Sequence, residues 1–118
     1  MSGPSAAAPA IPQSPAFTKS VELANDPAKG LSIGLSISEK LAFWGMSEQG
    51  LTGDVTGERP SIVRVESRLK HDAHAKNKGV APEEAQTRYV EMFLQALEKY
   101  APKHPACKEW EAEVRALL

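Results

Sequence analysis

The sequence predicts an all-α protein, a small helical bundle, and three observations carry that expectation. Ser36-x-x-Glu39 stands just ahead of Leu41, Phe43 and Trp44. This S-x-x-E pattern is a capping box, in which side chain and backbone satisfy each other's orphan N–H groups. Ala85, Tyr89, Met92, Phe93, Ala96, Leu97 and Tyr100 recur at helical spacing as one broad apolar stripe. The one stretch that alternates like a strand, Leu31 to Ile37 (LSIGLSI), is short, carries Gly34 and has no second strand to pair with, so it reads as an extended linker.

Taken in order, residues 1–16 form a Pro/Ala/Ser arm whose Pro4, Pro9, Pro12 and Pro15 oppose a helix and favour an extended chain. Phe17, Val21 and Ala24 then fall at i, i+4 and i+7, which predicts a first helix over 17–25 ended by Asp26-Pro27 and Lys29-Gly30. The second helix spans about 38–50, with Gly50 and Gly53 marking its end. Ser61 is the candidate cap of a third helix over 62–77, thin in apolar content with Ile62, Val63, Val65, Leu69 and Ala73. Pro82 in the first turn, followed by Glu83 and Glu84 facing the positive helix end, starts the fourth. Pro102 and Pro105 break it. Cys107 to Leu118 then gives a short fifth helix, with Trp110, Val114 and Leu117 on one face, that must dock on something to persist. The expected organisation is an arm over 1–16, a bundle over 17–101 and a C-terminal extension over 102–118.

Composition narrows the function. At 118 residues one domain is expected, and a net charge of −1 gives no global basic field for nucleic acid. The single cysteine, Cys107, leaves no internal disulfide and fits a reducing compartment. No apolar run approaches the ~20 residues of a membrane span. The first eighteen residues hold four prolines and no Lys or Arg, unlike a secretory signal or an Arg-rich presequence. An intracellular protein is therefore expected, on the cytoplasmic or organellar side of any assembly it joins.

Chemistry-bearing residues are sparse. His71 and His74 share a helix face, and His104 and Cys107 follow, but none of them pairs as tightly as the ligands of structural zinc sites do. Solvated or hydrogen-bonded histidines are the expectation, with no metal and no cofactor. Ser47-Glu48 and the isolated histidines give no nucleophile–base–orienter spacing, and no phosphate-cradling glycine loop is present. A non-catalytic protein is expected. Glu66 and Lys70, at i and i+4, read as an ordinary surface ion pair.

From Leu41 to Tyr100 the chain resembles the acyl-CoA-binding protein family, along whose pattern it lies without a gap. The residues that carry the resemblance are Leu41, Phe43, Trp44, Gln49, Gly53-Asp54, Glu58-Arg59-Pro60, Lys70, Asp72-Ala73, Lys78-Gly79, Glu83, Ala85 and Tyr89, with Phe17-Thr18-Lys19 resembling the family's first helix. The resemblance implies a four-helix bundle that binds long-chain acyl-CoA esters without catalysis. It implies ligand contacts at Lys70, which matches a phosphate-binding lysine, at Tyr89, which matches the helix-four tyrosine, and at Trp44, which stands at a tyrosine position. Trp44 keeps a flat π surface and an N–H donor but not the hydroxyl.

His71 and His74 stand where the family has tryptophans on its third helix, and two further departures fall on ligand-contact positions. Ser47 stands where the family has a second tyrosine, and Glu48 where it has the first phosphate lysine. Loss of one partner of a desolvated charge pair costs ~2–5 kcal/mol, and loss of a stacking aromatic ~1–3 kcal/mol by analogy with base–aromatic platforms. Binding weakened by Ser47 and Glu48 is expected, with Arg64 and Arg68 as compensating phosphate contacts. The alternative is a binding-deficient member that serves as a structural accessory subunit. It would contact other protein subunits through residues 1–16, extended across a neighbouring polypeptide, and through Trp110 unless the fifth helix packs back onto its own bundle, the expected fate of so short a helix.

Overall fold

Ser14 opens the first helix. Its Oγ accepts from the Phe17 N–H at 3.2 Å, and Pro15 occupies the first turn of α1 (Pro15–Asn25), where its missing N–H costs nothing. The computed structural model describes residues 11–26 and 34–118. The arm therefore yields its last two residues, Pro15 and Ala16, to α1, because Ser14 supplies a cap. Pro12 and Ser14 are bonded to the chain's own bundle. The Gln86 Nε2 donates to the Pro12 carbonyl at 2.7 Å, and the Ser14 N–H donates to Gln86 Oε1 at 2.9 Å. The expectation that the arm crosses a neighbouring polypeptide falls, for residues 1–10, outside the described residues.

The capping box forms as expected. Glu39 N–H donates to Ser36 Oγ at 3.1 Å and Ser36 N–H to Glu39 Oε1 at 3.0 Å, launching α2 (Ile37–Thr52). Gly53, at φ 79°, closes α2 in a left-handed conformation that a side chain would strain. Gly50 lies inside the helix. α3 (Val65–Ala75) is shorter than its sequence suggests. Ser61 is not its cap: its carbonyl accepts from the Arg64 N–H at 3.0 Å in a turn, and Arg64 caps without a side-chain bond. Ile62 and Val63 are spent in that turn, exposed. α4 (Pro82–Tyr100) and α5 (Ala106–Arg115) complete the order, with no strand among the described residues.

The core lies where α4 faces α1, α2 and α5. Phe17 from α1, Tyr89, Phe93 and Leu97 from α4, and Cys107, Trp110 and Val114 from α5 are all buried there, with Phe43, Met46 and Leu51 of α2 packed alongside. Tyr89 meets two rings edge-to-face, Phe17 at 5.4 Å and Phe43 at 5.3 Å between centroids, a geometry the ring quadrupoles favour. Trp110 belongs to this cluster. Of the two expectations for this helix, packing back onto its own bundle is the one observed, and presentation of Trp110 to a protein partner is not: α5 is too short to persist alone and buries Trp110 and Val114 on α1 and α4.

α3 packs principally on α2, through Gly45. A Cβ built there would collide with the Ala73 carbonyl oxygen and approach its carbonyl carbon at 2.7 Å. The loop joining the two helices is tied down by polar side chains. Buried Gln49 donates through Nε2 to Asp54 Oδ1 and to the Val80 carbonyl, each at 2.8 Å, and the Gly79 N–H donates to the same Asp54 oxygen at 2.9 Å. Buried His74 donates through Nε2 to the Gly53 carbonyl at 2.7 Å. Arg59 reaches across to Asp72 with two bonds of 2.8 and 2.7 Å, the fork geometry that suits guanidinium and carboxylate.

Two predictions follow from this packing. Gly45→Ala should destabilise by about 1–3 kcal/mol through overpacking against backbone that cannot swing aside, read as a lower urea midpoint at unchanged slope. An unchanged midpoint would mean that α2 and α3 do not meet this closely. The Gly79 N–H and then the Gln49 amide hold the Asp54 carboxyl below its ordinary value of 3.8. A lowered folded-state value contributes stability that is present above 3.8 and lost as pH falls through the lower, folded value. Asp54→Asn keeps an acceptor at Oδ1, so it should flatten the melting temperature's fall in that acid window. An acid profile identical to the parent's would count against this network.

Candidate functional site

A cleft of about 590 Å³ opens between α2 and α3, bounded also by Ala24 and Asn25 at the end of α1 and by Leu35. That volume is in the range of small-molecule sites. The walls are apolar: Leu35, Ile37, Leu41, Phe43 and Trp44 on one side, Val65 and Leu69 on the other, with Tyr89 reaching in from α4. Val65 and Leu69, at i and i+4, share one face of α3. The polar groups are few: Asn25, Lys40, Ser47, Glu66 and Lys70.

Lys70 is the best positioned of them. Its Nζ stands 5.6 Å from the centroid of the Trp44 ring, within the reach of cation–π attraction. The expected pair with Glu66 is present at 3.4 Å. Glu66 is largely exposed, so this bond holds the ammonium in place without strong attraction. Trp44 also makes an edge-to-face contact with His74, 6.3 Å between centroids. Tyr89 is almost wholly buried, and burial pushes its hydroxyl above its ordinary value of 10, so the ring meets the cleft as a neutral phenol.

Trp44, Lys70 and Tyr89 are thus brought together around one cleft. The other sequence candidates are placed differently. Ser47 lines the cleft, but its Oγ donates to the Trp44 carbonyl one turn back at 2.8 Å, so its proton is committed within α2. Glu48 is half-buried on α2 and does not line the cleft. Neither Arg64 nor Arg68 lines it either. Arg64 is exposed at the start of α3, and Arg68 Nη1 donates to the Pro60 carbonyl at 3.3 Å, so their compensating role is not supported by their placement. His74 is engaged with the loop, and His71 lies 3.8 Å from Asp72 with both ring nitrogens buried.

Lys40 is the cation that sequence reading missed. It sits one turn before Trp44 on α2, and that i, i+4 spacing was the available signal. An apolar trough with two ammonium groups suits an amphipathic ligand that carries a long apolar chain and an anionic end.

Comparison with known proteins agrees with this geometry. Residues 14–93 match the protein family described as Acyl CoA binding protein. "Acyl-CoA-binding protein homolog 3" of Caenorhabditis elegans is 31% identical over 85 residues, 72% of this chain and 73% of that protein. The "Acyl-CoA-binding protein" of Dictyostelium discoideum is 36% identical over 66 residues, 56% of this chain and 79% of that one. Among solved structures, the crystal structure of ACBP from Moniliophthora perniciosa superposes with a TM-score of 0.77 at 31% identity, covering 86% of this chain and 93% of that one.

Proposed function

Since this chain belongs to the acyl-CoA-binding protein family, whose members bind without catalysing, we propose that the cleft between α2 and α3 holds a long-chain acyl-CoA ester. The observation that carries the proposal is Lys70, poised 5.6 Å over the Trp44 ring in a trough whose walls are largely apolar. The acyl chain would lie along Leu41, Leu69 and Val65, removing their exposed surface from water at roughly 25 cal/mol per Å². Lys70 and Lys40 would face the anionic groups of the nucleotide end. Trp44 would offer its face, and Tyr89 its ring, to the flat portions of the ligand.

We place the affinity below that of a chain with the full family pattern. Ser47 cannot stack, and its hydroxyl is already bonded within its own helix. Glu48 acts at longer range, since it stands outside the cleft. It replaces an attractive charge by a repulsive one, screened over about 8–10 Å at physiological salt. A role as a structural subunit gains no support from the described ends of the chain, where Pro12 and Ser14 bond to Gln86 and Trp110 is buried.

Calorimetric titration with palmitoyl-CoA at low salt checks the reading. Lys70→Ala should weaken binding at least tenfold, a conservative share of the ~2–5 kcal/mol lost when a charge pair is broken. Ser47→Tyr combined with Glu48→Lys should strengthen it at least tenfold, by the same scale. No saturable heat from the unmodified protein would overturn the binding proposal. Tight binding that the double change leaves unaltered would overturn only the weakening.

A further inference from the structure

Ile62, Val63 and Val65 are 74%, 83% and 61% exposed. They are consecutive but for Arg64, and they occupy the turn before α3 and its first residue, with Leu69 one turn further on. Exposed apolar residues scattered singly need no explanation; a clustered set on a projecting turn marks a contact surface. The charges around the tip have one dominant sign. Between positions 58 and 70 stand Arg59, Arg64, Arg68 and Lys70 against the two carboxylates Glu58 and Glu66, in a chain whose net charge is −1. Arg59 is engaged by Asp72 and Lys70 by Glu66, while Arg64, amid the apolar residues, makes no ion pair among the described residues.

We propose that this turn docks the protein on an anionic lipid surface. Ile62, Val63 and Val65 would enter the boundary between headgroups and acyl chains, and Arg64 and Arg68 would stay at the level of the lipid phosphates, as long cationic side chains do. A protein partner fits less well. The tip offers three aliphatic side chains and no aromatic anchor, far from the roughly 1,000 Å² that a specific interface needs. A bilayer asks for no shape complementarity, only apolar side chains and cations on one projecting face.

Val65 belongs both to the tip and to the wall of the cleft. Docking there would set the cleft beside the membrane, where a ligand with a long acyl chain resides. That consequence rests on the ester-binding proposal; the docking itself does not, and it is tested without any CoA ester.

The test is flotation of the full chain with phosphatidylcholine vesicles, pure or with about one-third phosphatidylserine to supply a negative surface potential. The protein should float with the anionic vesicles, less with the neutral ones, and less again as salt rises. Ile62→Ser with Val63→Ser should reduce partitioning about tenfold or more, through the lost apolar burial. Arg64→Glu should reduce it at least about fivefold, from the contribution of one cation near such a surface. All three side chains are exposed, so the melting temperatures should match the parent's, and Arg64→Glu reads the surface independently if the double variant folds poorly. Failure of the unmodified protein to float, or flotation that neither variant weakens, would overturn the proposal. Self-association in solution that the double variant abolishes would also overturn it, assigning the tip to a second copy of the chain.

Discussion

The contact on which the site depends is the seating of Gly45 on the backbone of Ala73. With no Cβ, α2 comes so close to α3 that backbone meets backbone, and no larger residue could be accommodated without parting the helices. Five residues on, Gly50 makes a second close approach, its missing Cβ standing 3.0 Å from Gln86 Cγ and 3.1 Å from Phe17 Cζ. α2 is therefore pinned to α3 at one point and to α1 and α4 at another. The cleft is the wedge left beside the first contact, and its walls are the side chains either side of Gly45. Propensity opposes two glycines inside a helix, at roughly 1 kcal/mol each relative to alanine. The packing they permit outweighs that cost.

Polar groups then fix what the glycines place. Gln86 joins three parts of the chain from one buried position, accepting from Ser14 and donating to the carbonyls of Pro12 and Gly50. Gln49 and Asp54 hold the α2–α3 loop against the Val80-Gly79 backbone, and His74 binds it from within α3. His74 also touches the Trp44 ring, so the side chain that anchors the loop orients the aromatic wall of the cleft. The electrostatics of the cleft are modest as a result: Lys70 is held by a mostly exposed carboxylate that a more strongly charged ligand can displace.

Much of this was legible in the sequence, because the strongest signals are local. The capping box at Ser36 and Glu39, the proline at the head of α4 and its apolar stripe depend on residues within a few turns of each other, and each appears in the structure where the spacing places it. The start of α3 was misread for a physical reason. Ile62 and Val63 supply the apolar content of a helix, but the Ser61–Arg64 turn uses them first, and nothing covers them among the described residues. Trp44, Lys70 and Tyr89 were found through the family pattern and do converge on one cleft. Lys40 was not found, nor was the placement of Arg64, Arg68 and Glu48 outside the cleft. Which way a long side chain turns is decided by tertiary neighbours such as the Pro60 carbonyl, which lies 3.3 Å from Arg68 and eight residues away in sequence.

One cleft, bounded by α2 and α3 and reached by Tyr89 from α4, is proposed to receive the ligand. Amide-resolved NMR of the unmodified protein during titration with palmitoyl-CoA tests it directly, since it locates the ligand whatever the affinity. The largest shifts should fall at Lys40, Trp44, Ser47, Leu69 and Lys70, with α5 unmoved. Shifts concentrated on α5 or on the outer face of α4, with the α2 and α3 amides still, would contradict it.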